Sequence, residues 1–172
     1  GRRVDYLAAY QNAAYAQRYR DLVERVRRVE SDRLQSARLT EAVARYYFKL
    51  LAIKDEYEVA RLHSDPAFRD RIAAMFEGDY KLAFHLAPPL LARPDPVTGR
   101  VAKRRYGPWM MSAFGVLAKF RRLRGTALDV FGRTEERRTE RALIGEYEKL
   151  VDELLGKLAA DNHPLAVELA SL

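Results

Sequence analysis

Ala13 to Glu30 reads AAYAQRYRDLVERVRRVE, and within it Tyr15, Tyr19, Leu22, Val26 and Val29 recur at alternating steps of four and three. That spacing sets five apolar side chains along one stripe of an α-helix, with Arg, Gln and Glu left for the opposite face, and the pattern predicts a helix over about residues 4 to 30. The reading repeats downstream. Val43, Tyr46, Leu50, Ile53, Tyr57 and Ala60 mark a second long amphipathic helix beyond the polar stretch Glu30 to Arg38, and two such helices joined by a short loop are expected to pack antiparallel. Ser64-Asp65-Pro66 is a helix start: a short oxygen-bearing side chain caps free amides and proline is tolerated in the first turn. The short helix it opens carries Phe68, Ile72, Met75 and Phe76 inward, and Gly78 supplies a left-handed residue to end it.

From Tyr80 the period changes to two. Tyr80, Leu82, Phe84 and Leu86 alternate with Lys81, Ala83 and His85, as in a half-buried strand that Pro88-Pro89 stops. Arg93 to Arg100 is dense in turn residues and reads as an exposed loop or hairpin tip. Gly107-Pro108 then precedes a helix with Met110, Ala113, Phe114, Leu117 and Phe120 inward, ended by Gly125. Thr134 with Glu135 and Glu136 opens the last long helix, where a cap oxygen and two carboxylates meet the positive end of the helix dipole, and Leu143, Tyr147, Leu150, Leu154 and Leu158 form its inner stripe. Asp161-Asn162-His163-Pro164 opens a final turn or two. The expected fold is mainly α, one domain over residues 1–172, with five or six helices and a small β-strand or hairpin element near residues 79–106.

The chain has 172 residues, 48% hydrophobic and 32% charged, a balance that supports a core and excludes disorder. No apolar run approaches the roughly 18 residues of a membrane span, so a soluble, cytoplasmic chain is expected. It contains no cysteine. Disulfides, a thiol nucleophile, thiolate zinc and cysteine-ligated clusters are thereby excluded from this polypeptide. The glycine-rich cradles for dinucleotide or nucleotide phosphates and the serine elbow are missing as well. His63, His85 and His163 are too dispersed for a metal pair at helical spacing, and the ordinary structural reading is preferred for each; no metal site and no catalytic residue is assigned. His85 is the exception worth following, since it stands at a strand end beside a pocket that Trp109 is expected to share. Asp55, Glu56 and Glu58 lie on a helix among opposite charges and read as solvated ion pairs.

The net charge of +7 is concentrated. Between Pro96 and Leu128 stand Arg100, Lys103, Arg104, Arg105, Lys119, Arg121, Arg122 and Arg124, with no acidic residue among them. A basic run with Tyr106 and Trp109 nearby suits a phosphate, an acidic protein or nucleic acid, and equally suits pairing with acidic helices such as the one starting at Thr134.

The strings Tyr46-Tyr47-Phe48-Lys49-Leu50, Lys54-Asp55-Glu56-Tyr57-Glu58-Val59-Ala60-Arg61-Leu62, Phe76-Glu77-Gly78-Asp79-Tyr80 and Phe84-His85-Leu86-Ala87-Pro88-Pro89-Leu90-Leu91 resemble the C-terminal domain of fused indolepyruvate ferredoxin oxidoreductases. Tyr106-Gly107-Pro108-Trp109-Met110, Arg124-Gly125-Thr126, Glu140-Arg141-Ala142-Leu143-Ile144, Asp161-Asn162-His163 and Ala166-Val167-Glu168-Leu169-Ala170 extend the resemblance in the same order over essentially the whole chain. The resemblance implies a parent enzyme, oligomeric at full length, that oxidatively decarboxylates arylpyruvates with thiamine diphosphate, magnesium, 4Fe-4S clusters, coenzyme A and ferredoxin. It implies that this chain holds none of those cofactors and serves as an accessory domain against the catalytic domains. On that reading the segment from Arg100 to Arg124 meets ferredoxin or the phosphates of coenzyme A. The alternative is a free-standing helical module that binds nucleic acid through the same basic face.

Overall fold

The stripe from Tyr15 to Val29 is helical as expected, but the helix does not reach back unbroken to residue 4. In a computed structural model, which describes residues 1–87 and 102–171, Asn12 is fully extended at φ −168° and its side-chain oxygen accepts the amide of Tyr15 at 2.8 Å. A capping side chain that satisfies a free amide competes with continuation of the preceding helix, so the segment divides into α1 (Arg2–Tyr10) and α2 (Ala13–Leu34). The second long helix divides the same way. It becomes α3 (Arg38–Leu51) and α4 (Glu56–Ser64), with Asp55 accepting from the Glu58 amide at 2.9 Å. There follow α5 (Pro66–Met75), β1 (Phe84–Leu86), β2 (Arg104–Tyr106), α6 (Met110–Lys119), α7 (Glu135–Lys157) and α8 (His163–Leu169). The protein is mainly α, as expected, with eight α-helices rather than five or six among the described residues, because two side-chain caps each cut one long helix in two.

The chain forms two compact units, Gly1–Ile53 with Arg133–Leu172 and Lys54–Gly132. The first is a helical bundle of α1, α2, α3, α7 and α8. Its centre is a stack of tyrosines: the rings of Tyr19 and Tyr47 lie 5.9 Å apart at 15°, and those of Tyr47 and Tyr147 lie 5.9 Å apart at 10°. Three buried phenols need three acceptors. Tyr19 donates to the Ala44 carbonyl at 2.9 Å, Tyr147 to that of Ala170 at 2.7 Å, and Tyr47 to the Glu148 carboxylate. The wholly buried Glu30 is satisfied in turn by the Leu39 and Thr40 amides and the Thr40 hydroxyl, with His163 Nε2 2.8 Å from Oε1.

Along α7 the buried positions are Ile144, Tyr147, Val151 and Leu155, followed by Leu158. The expected stripe shares Tyr147 and Leu158 with these but is otherwise displaced by one residue, and Leu143 is exposed. Thr134 caps this helix as predicted, accepting the Arg137 amide.

In the second unit α4 packs on α6, and the core comprises Ala60, Phe84, Met110, Phe114 and Ala118. β1 and β2 pair antiparallel, Phe84 opposite Tyr106, His85 opposite Arg105 and Leu86 opposite Arg104. The β element is therefore within the expected span, though of the predicted strand only Phe84 to Leu86 is paired; the Pro88-Pro89 stop and the turn-rich stretch to Arg100 lie outside the described residues. Asp65 caps α5 as anticipated; Gly78 is left-handed at φ +77°, but the helix has already ended at Met75, where Phe76 is extended. No side chain of α5 is buried, however, and Met75 and Phe76 are exposed.

Candidate functional site

Asp55 opens α4 and does more than cap it. Its Oδ1 accepts Nη2 of Arg124 at 2.7 Å while Oδ2 accepts Nε of the same guanidinium, and both side chains are 8% exposed. Gly125, at φ +78°, turns the chain so that its amide donates to Asp129 at 2.8 Å. The other Asp129 oxygen accepts the Gly132 amide at 2.9 Å and the Tyr57 hydroxyl at 3.3 Å. The Arg124 guanidinium lies 5.5 Å from the centre of the Tyr57 ring, and Phe131 meets that ring edge-on at 5.2 Å. Burial, reinforced by the nearby Asp129 carboxylate, pushes the Tyr57 phenol up to about 12. Glu58, fully buried, is held by a two-point bond from Arg61 at 2.7 and 2.8 Å. The solvated ion pairs expected at Asp55 and Glu58 are thus corrected to buried ones. The aspartate three residues before a glutamate is a helix-start pattern that marks Asp55 as a cap.

Beside this network opens a cleft of about 460 Å³, within the range of small-molecule sites. Its walls are Leu86 of β1, Tyr106 of β2, Trp109, Phe114 and Leu117 along α6, and Phe131; Lys54, Asp55 and Glu56 supply the polar side. The hairpin explains which strand residues take part. Side chains alternate across a strand, so Leu86 and Tyr106 face the cleft while the exposed His85, opposite Arg105, is turned away and does not line it. Trp109 does line it. His63 belongs to the packing instead, its ring between Phe68, Phe84 and Phe114 and its Nδ1 2.8 Å from the Val59 carbonyl. A slightly larger opening of about 470 Å³ lies in the first unit, but the ion pairs Arg18–Glu148 and Arg25–Asp152 form much of its wall and leave little apolar surface for a ligand.

The basic run does not form a single surface. Lys103, Arg104 and Arg105 are exposed on or beside β2, and Lys119 and Arg122 are exposed at the far end of α6. Arg121 is half-buried and donates to the Ala118 carbonyl at 3.3 Å. Arg124 is withdrawn altogether by Asp55. Arg100 lies outside the described residues. Among the described residues no group of three histidine or acidic side chains is placed to hold a metal ion, and no helix is long and apolar enough to cross a membrane.

Over residues 1–172 the sequence matches a family described as a family of unknown function, DUF6537. The chain belongs to that family. No curated protein and no solved structure matches it. The DUF6537 description assigns no activity, so the functional reading rests on the residues themselves.

Proposed function

We propose that this chain is the C-terminal accessory domain of an indolepyruvate-type 2-oxoacid:ferredoxin oxidoreductase, a cytoplasmic enzyme, in which it scaffolds or covers the catalytic domains without performing the chemistry. One observation carries the reading: strings that resemble that domain meet one another in the second unit. Lys54 to Leu62 and Arg124-Gly125-Thr126, some seventy residues apart in sequence, join through the Asp55–Arg124 pair. The string from Phe84 and the string from Tyr106 to Met110 join as the hairpin and supply Leu86, Tyr106, Trp109 and Met110 to the cleft. Charged side chains in those strings, Asp55, Glu58, Arg61 and Arg124, are engaged in holding the unit together, which suits a supporting role.

An iron-sulfur cluster of such a parent does not fit this chain. Without cysteine it has no thiolate for an iron-sulfur cluster, and the clusters and thiamine diphosphate belong to the other domains of the proposal.

The test is the size and content of the native polypeptide. Antibody against this chain, applied to the source cells and followed by peptide mass spectrometry of the denatured band, should recover one polypeptide far heavier than 19.8 kDa that also yields cysteine-cluster peptides. Recovery of a product no larger than this chain overturns the proposal.

A further inference from the structure

Exposed cations stand at both ends of α6, and bare apolar groups run between them. Lys103, Arg104, Arg105, Lys119 and Arg122 are exposed, and none of the five forms an ion pair among the described residues. Between them run Trp109, 62% exposed, Val116, 57%, and Phe120, 49%. Residues spaced by seven and then four fall on one helical stripe, and Met110, Ala113 and Leu117, which line the cleft, lie on the adjoining face. A ten-residue helix is about 15 Å long, so the two cationic groups stand roughly that far apart, with the stripe between them and the cleft at its flank. Arg104 belongs to the same arrangement, since it shares a strand face with Tyr106 and stands opposite Leu86, both of which line the cleft.

We infer that this face docks an acidic protein segment that carries a bulky apolar side chain, the apolar group entering the Trp109 cleft and flanking carboxylates meeting Arg104 at one end of α6 and Lys119 and Arg122 at the other. The inference stands on the surface alone and holds whether or not the chain belongs to a ferredoxin oxidoreductase. Charge complementarity selects the partner's sign, because sequence from Pro96 to Leu128 holds no acidic residue. Shape selects its class. A polynucleotide satisfies the cations but leaves an aliphatic stripe wet, whereas a flat anionic bilayer satisfies cations and stripe but leaves a 460 Å³ concavity unfilled. A side chain projecting from an acidic helix or strand does both.

Trp109 is the sole tryptophan, so its emission reports on the cleft directly in the intact chain. The probe is a synthetic amphipathic peptide with glutamates flanking one phenylalanine and one leucine a helical turn apart; its controls are the same peptide with both apolar residues replaced by serine, a single-stranded oligonucleotide, and phosphatidylglycerol vesicles. Saturable blue-shifted emission is expected with the amphipathic peptide alone, weakened by salt. Arg104→Glu should raise its Kd roughly tenfold at low salt, and Arg105→Glu, on the opposite strand face, should raise it less. Ala113→Phe, which fills the cleft and leaves the reporter in place, should abolish the shift while circular dichroism stays unchanged. The inference fails if the amphipathic peptide leaves Trp109 unmoved, if Ala113→Phe binds it as well as the parent chain does, or if the serine peptide, the oligonucleotide or the vesicles produce the same cleft-dependent shift.

Discussion

Replacing Asp55 with alanine removes two things at once. The amide of Glu58 loses its cap acceptor, a loss that costs about 1 kcal/mol at a typical helix start. The guanidinium of Arg124, only 8% exposed, loses a two-point carboxylate partner, and breaking a buried pair from one side costs about 3 to 5 kcal/mol. The two terms share an atom, Oδ1, so a combined loss of about 4 kcal/mol is expected rather than their full sum. That is a large part of the roughly 5 to 15 kcal/mol that holds an ordinary domain folded. Asp55→Asn separates the contributions, because asparagine caps as well as aspartate does, and it should cost about 1 kcal/mol less than alanine. Arg124→Met on the asparagine background should recover part of the loss by removing the buried cation, giving a coupling of about 1 to 3 kcal/mol in the cycle. The assay is urea denaturation of the full chain read at Trp109, which lies in the same unit as the pair, with circular dichroism at each point. A loss below about 1 kcal/mol for Asp55→Ala, with an unaltered denaturant slope, would refute burial of the pair and return Arg124 to the surface.

Glu30→Gln should destabilise the first unit by about 2 to 3 kcal/mol at neutral pH, because an amide cannot accept from both backbone amides and the Thr40 hydroxyl as a carboxylate does. Burial alone would raise the Glu30 carboxyl, but hydrogen bonds from Thr40, the Leu39 amide and His163 outweigh it and hold it below the ordinary 4.5. The contribution is therefore present above 4.5 and is lost as pH falls through the lower folded value, so urea midpoints of parent and variant should converge in acid; a constant gap down to about pH 2 would contradict this. Gln35 ends α2 at φ +49°, a left-handed conformation that favours glycine, and Gln35→Gly should raise stability by up to about 1 kcal/mol in the same denaturation assay. A loss of stability there would mean the glutamine side chain contributes more than its backbone strain removes.

The helical class was legible because it depends on local periodicity, and the places where the reading slipped have local physical causes. Asn12 and Asp55 each look tolerable inside an amphipathic repeat, yet each can accept an amide two or three residues ahead and so end one helix and begin another. On α7 the apolar residues come in adjacent pairs, Leu143-Ile144, Leu150-Val151 and Leu154-Leu155. Two stripes about 100° apart fit such a pattern equally, and periodicity has no means of choosing between them. The bundle chooses Ile144, Val151 and Leu155 for burial, while Leu150 and Leu154 line a groove of about 250 Å³ with Leu165 and Leu169.

The site was less legible, because charge along a sequence carries no information about depth. Arg104 and Arg124 are members of one basic run, Arg104 between Lys103 and Arg105 and Arg124 just after Arg121 and Arg122. What separates them is Asp55, sixty-nine residues from Arg124, which draws that guanidinium inside while Arg104 stays exposed. Trp109 was recognisable since an aromatic beside a Gly-Pro turn at a helix start is readily left half-exposed, but the wall it completes is assembled from a strand, a helix and Phe131 that no spacing rule connects. His85 went the other way through a single residue of strand register: a shift of one position would have exchanged it with Leu86 and placed an imidazole in the cleft. Local pattern thus determines which segments are helices and which side chains can be buried, whereas pairing between distant segments decides which charges remain available to a partner.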